Sequence, residues 1–194
     1  MMTVDVSDFQ HQLMPLDTPC VTEIEAHQLA WDYLEHGARS VQTIFDDADD
    51  DWLPIWVLVQ RDHVLAVAST VDKYAQVAYV AALVRIAFQT KQVPDVLAVG
   101  ALVSSWLTRV EDVGRERIDQ LMQAGSLPGA EERREILLMT STGAARTWAF
   151  SADIGRDGVR PPTLGQFEAL PNAGQELAGA MVDPIVKAFR RVEL

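Results

Sequence analysis

Cysteine occurs once in these 194 residues, so Cys20 has no internal disulfide partner and the fold must rest on its core rather than on cross-links. Histidine occurs four times, at His11, His27, His36 and His63, without HxH, HExxH or CxxC spacing. A zinc or iron site needs at least three protein ligands, and the pattern points to no metal centre. Neither common glycine pattern that cradles a phosphate is present, so no cofactor is expected. Basic residues are nearly missing from the first 60 positions, where twelve Asp or Glu stand against Arg39 alone. Such a surface repels phosphates, which argues against direct DNA or RNA binding. Long apolar runs are lacking too. Val96 to Leu107 is interrupted by Gly100, Ser104 and Ser105 and is shorter than the roughly 20 residues that span a bilayer. The opening MMTVDVSDFQ has neither the basic nor the apolar region of a signal peptide. The expectation is a cytoplasmic protein with no membrane segment.

What is present is an apolar chain with acid concentrated at one end. Hydrophobic residues make up 48% and the mean hydropathy is +0.03 despite a net charge of −12. After residue 60, sixteen acids meet fifteen bases, so the acidity belongs to the first third. Residues 1 to 20, with Pro15 and Pro19 and no sustained period, predict an irregular N-terminal arm ahead of a single domain at 21 to 194. Thr22 and Glu25 form a capping box. Ile24, His27, Trp31, Leu34, Ala38, Val41 and Phe45 then draw one stripe down a helix. Leu53 to Val59 and Val64 to Ala68 give a hairpin signal. Ser69 to about Lys91 predicts a helix apolar nearly all round, buried on most sides.

Val96 to Arg109 reads as a strand apolar on both faces, with Gly100 a bulge or a close-packing point. An excursion at 111 to 134 holds an expected short helix at 115 to 124. Glu135 to Thr142 and Ala145 to Asp153 form a second hairpin with Trp148 and Phe150 on one side. A loop follows at 154 to 174, and a helix from Glu176 to Val192 kinks at Pro184 or restarts with Asp183 as its cap. The order α-β-β-α-β-β-β-α describes an α+β domain with an antiparallel sheet of about five strands. In element order alone, over residues 22 to 191, this resembles the Roadblock type of domain, which implies a five-stranded antiparallel sheet with a central crossover helix. The segments 111 to 134 and 154 to 174 depart from that pattern.

The most concentrated chemistry is FDDADDDW, Phe45 to Trp52, with five carboxylates in six positions. An EF-hand loop begun at Asp47 would place Trp52 where Gly is needed and Leu58 where Glu is needed, so that reading fails. The DDxxD string also matches magnesium-binding sites of prenyl-diphosphate enzymes, which resemble all-helical bundles rather than a chain half of which reads as strand. Five negative charges oppose a helix C-terminal dipole, so the first helix should stop near Phe45. Three readings remain: a solvated connector that guards a sheet edge, a docking surface for a basic partner, or a weak divalent-ion site. Trp52 beside the acids is expected to stay partly exposed as a contact for a cationic surface.

For covalent chemistry the options are Cys20 with His27, or Ser104, Ser105 or Ser141. No nucleophile signature surrounds any of them. His27, on the apolar stripe, reads as a hydrogen-bonded core residue, and no catalytic residue is assigned. Arg115, Arg117, Arg133, Arg134, Arg156 and Arg160 border the two loops, where they could bind an anion or meet the acidic third of another copy. The resulting expectation is a non-enzymatic interaction protein, a homo-oligomer or a subunit of an assembly. It would present Asp46, Asp47, Asp49, Asp50, Asp51 and Trp52 to a basic protein partner or to itself. The alternative is a small-molecule binder or enzyme with a pocket lined by Trp106, Arg109, Arg146 and Trp148.

Overall fold

Alternation along two central strands explains how the chain is layered. In β2 (Ile55–Gln60), Trp56 and Leu58 enter one apolar cluster while Val57 and Val59 enter another. In β4 (Val96–Leu107), Val99 and Ala101 join the first cluster, and Ala98 and Leu102 the second. A strand buried on both faces reads as a continuous apolar run, as these two do. A computed structural model describes residues 6–71, 73–90, 96–107, 114, 116–117, 119–120, 134–170 and 182–190 of the chain.

One antiparallel sheet forms the middle layer. Its remaining strands are β1 (Phe9–Pro15), β3 (His63–Ser69), β5 (Arg134–Gly143), β6 (Thr147–Gly155), β7 (Thr163–Leu164) and β8 (Glu168–Ala169). They run in the order β1-β3-β2-β4-β5-β6-β7, with β8 also paired to β6. Helix α1 (Glu23–Gln42) lies across one face, against β2, β4 and β5. Helices α2 (Lys73–Thr90) and α3 (Asp183–Arg190) pack together on the other. Because β2 is antiparallel to both β3 and β4, those two run parallel, and α2 is the crossover between them. The fold is α+β.

The element order differs from the expected α-β-β-α-β-β-β-α: among the described residues β1 precedes α1, and β7 and β8 stand between β6 and α3, so the sheet has eight strands rather than about five. One added strand comes from the arm expected to be irregular, where Phe9–Pro15 pairs along β3 from Phe9↔Ser69 to Pro15↔His63. As an edge strand it buries only Phe9, so no alternation marks it. The others, β7 and β8, arise within the expected loop at 154 to 174. There the Arg39 guanidinium donates to the carbonyls of Leu164 (2.9 Å) and Gly165 (2.7 Å). The single base of the first third is thus spent inside the fold. The helix expected at 115 to 124 lies largely outside the described residues. Of the helix expected at 176 to 192, residues 176–181 and 191–192 lie outside the described residues; α3 runs from Asp183 with Pro184 in its first turn, where a missing amide costs no hydrogen bond.

Two local devices set the layers. Thr22 caps α1 by accepting from the Glu25 amide, while the Glu25 carboxylate accepts from the Val21 and Thr22 amides, which holds that carboxyl below its usual range. On the other face the Trp56 indole donates to Gln76 Oε1 (3.0 Å), and Gln76 Nε2 donates to the carbonyls of Ser69 and Val71. Those bonds satisfy buried polar groups where α2 meets the sheet.

Candidate functional site

The acidic connector is an ordered loop. Helix α1 ends at Gln42 with Thr43 as its C-cap, ahead of the aspartates. Asp50 then accepts from the amides of Asp46 (2.8 Å) and Asp47 (2.9 Å), and these bonds hold its carboxyl below the ordinary range. Asp47 accepts from the Asp49 amide at 3.1 Å. Asp51 accepts from Ser104 Oγ (3.3 Å) and from its neighbour's amide. Arg156 closes the loop from β6's end. Its guanidinium donates to both Glu135 oxygens (2.8 and 2.9 Å) and to the carbonyls of Ala48 (3.2 Å) and Asp50 (2.8 Å), and it pairs with Asp51 at 3.2 Å. Arg156, expected to meet an anion or the acids of another copy, meets the acids of its own chain.

Trp52 requires a correction. It is 2% exposed, donates its indole N–H to the Ala38 carbonyl (2.9 Å) and packs edge-on against Phe45. Its apolar area favours the space beneath α1 over the solvent beside the aspartates. Of the other five residues, Asp50 and Asp51 are engaged in holding the loop. Asp46, Asp47 and Asp49 are exposed, and the Asp46 and Asp49 carboxylates make no hydrogen bond or ion pair among the described residues. Glu25 and Asp32 are exposed on α1, which extends the acidic face along the helix.

A second polar cluster lies beneath α1. His27, fully buried, has Nδ1 2.6 Å from Ser141 Oγ and Nε2 3.3 Å from Glu23 Oε1. Facing a carboxylate, Nε2 carries the proton, so neutral His27 accepts from the Ser141 hydroxyl and donates to Glu23. Burial pushes the imidazole pKa down against the opposing pull of Glu23. Trp148 stacks on the ring at 4.9 Å. Glu23 also accepts from the amides of Ala145 and Arg146, which ties the start of α1 to the β5–β6 turn. The order serine, histidine, carboxylate is that of a nucleophile relay, but Ser141 is only 4% exposed. The cluster links the start of α1 to β5 through Ser141 and to the β5–β6 turn through the partly exposed Glu23.

Cys20 is buried as well, and burial together with the Glu25 carboxylate pushes its thiol up, opposite to the activation a helix start could supply.

Trp106 and Trp148 stand on different strands, β4 and β6, at well-separated positions along the sheet. Their strand partners on β5 are Glu135 and Ser141. Six residues along a strand separate them by about 20 Å. Arg109 lies outside the described residues, and Arg146 is exposed on the β5–β6 turn. A polar depression of about 210 Å³ occurs elsewhere, between Arg134, Ser151, Asp153, Gly165, Gln166 and Glu168. Arg134 and Asp153 face each other there at 3.7 Å, both half exposed.

Among the described residues no three His, Cys, Asp or Glu side chains are grouped to hold a metal ion, and no helix is long and apolar enough to cross a membrane. No protein-family model matches the chain, and neither a curated protein nor a solved structure matches it.

Proposed function

We propose that this chain is a non-enzymatic interaction protein of the cytoplasm that presents its acidic face to a basic protein partner. The observation that carries this reading is the ordered connector, in which Asp50 and Arg156 fix the backbone while the Asp46, Asp47 and Asp49 carboxylates face solvent. Charges held in place by other bonds lose little freedom on binding, and their field speeds encounter with a cationic surface. Trp52 serves this face from beneath, as the anchor of the loop. The test is binding of a synthetic Lys/Arg-rich peptide at several salt concentrations. Changing Asp46, Asp47 and Asp49 together to Asn should weaken binding about tenfold at low salt, at roughly 0.5 kcal/mol per exposed charge. A control with the same loss of charge, Glu116→Gln, Asp119→Asn and Glu168→Gln, should change it far less. Equal losses in the two variants would defeat the proposal.

A further inference from the structure

The two edges of the sheet are unlike. At one edge β7 and β8 are two residues each, Pro161 and Pro162 precede β7, and Glu168 charges β8. Short strands, prolines and charge are the ordinary protections against strand addition. At the other edge β1 is seven residues long, FQHQLMP, with no Asp, Glu, Lys or Arg and only a terminal Pro15. It pairs with β3 on one side, and among the described residues no strand pairs with its outer side. Gln10, His11, Gln12 and Leu13 are exposed, Leu13 at 60%.

In a chain of net charge −12, most surfaces of two copies repel each other. β1 is a long backbone edge without formal charge. Its side chains also divide by face. Phe9 stacks on Tyr79 of α2 and His11 Nε2 lies 2.8 Å from the Tyr79 hydroxyl, whereas Met14 receives the Tyr33 hydroxyl of α1 at its sulfur. A two-fold axis through Gln12 gives complete seven-residue overlap. Gln12 then lies opposite Gln12 of the second copy, His11 opposite Leu13 and Gln10 opposite Met14. Each pair stays on its own face, so the α1 sides and the α2 sides of the two sheets become continuous.

We propose that the chain self-associates by antiparallel pairing of β1 with β1 of a second copy, centred on Gln12, to form one continuous sheet. The pairing uses a surface separate from the acidic connector and goes beyond the proposed function. Sedimentation of the full chain should show a concentration-dependent dimer. Gln12→Asp and Gln12→Lys each put like charges opposite one another at the axis and should weaken self-association about fivefold. An equimolar mixture of the two variants should restore the dimer, seen by native mass spectrometry as a species of mixed mass. Gln12→Cys should form an intermolecular disulfide on mild oxidation, because directly opposed strand residues fall within disulfide range and Cys20 is buried. Gln12 is exposed, so unchanged far-UV circular dichroism is expected for all three variants. A wild-type chain that remains monomeric at every concentration would overturn the proposal, as would charge variants that dimerise like the wild type or fail to recover on mixing.

Discussion

A single buried histidine couples the fold to pH. His27 has its pKa lowered chiefly by burial, so the folded chain binds fewer protons there than the unfolded chain, whose value is near 6.5. The stability this group contributes is therefore complete above about pH 6.5 and is lost as pH falls through the lower folded value. Urea unfolding should show stability declining from pH 7.5 to pH 5. His27→Gln should flatten that decline while lowering stability throughout; an unchanged decline in the variant would place its origin elsewhere. Carboxylates act in a lower window. Asp157, held down to about 2 by the Arg160 and Val159 amides, contributes stability that is complete above its ordinary carboxylate range and is lost as pH falls toward 2. The placement of His27 on an apolar stripe was legible in the sequence. Its partners were not, because Ser141 stands 114 positions away and meets it only when α1 lies on β5.

At the scale of elements, the connector shows how a loop acquires order from a distant residue. Arg156 bonds to Glu135 and to two connector carbonyls, with a side chain 27% exposed. Arg156→Ala should cost about 1–2 kcal/mol after solvent screening is allowed for. It should also speed hydrogen exchange across residues 46 to 51. Arg156→Lys should rescue little, since an ammonium cannot span a carboxylate and two carbonyls in the planar geometry of guanidinium. Exchange unchanged in the alanine variant would show that Asp50 alone holds the loop. Element types were legible wherever a periodic face was buried: the capping box of α1, both hairpins, and the long strand β4. The exact phase of α1 was not. Ile24 on the expected stripe is 53% exposed, and the buried positions are Ala26, His27, Ala30, Leu34 and Ala38. Small residues let the helix axis approach the sheet, so the alanines rather than the larger Ile24 mark the inner face.

For the molecule as a whole, the separation between α1 and the sheet is set at Gly100. A Cβ there would stand 2.6 Å from Val57 Cγ2, 2.9 Å from Leu34 Cδ1 and 3.1 Å from Ala30 Cβ. Gly100→Ala should destabilise the protein by about 1–3 kcal/mol through overpacking. Adding Leu34→Ala should recover part of that loss by opening space on the helix side, a coupling that a double-mutant cycle in urea would measure. Additive losses would show that the sheet, not the helix, resists the new methyl group. The α+β class and the concentration of acid in the first third could be read from the residues alone, because helix caps, two-residue alternation and charge are local or cumulative properties of the chain. The burial of Trp52 beneath α1, the bonds from Arg156 to the aspartate loop and the place of an uncharged strand at one edge of the sheet follow from long-range packing. Each of these depends on which distant segment occupies the neighbouring space, and no local pattern records that.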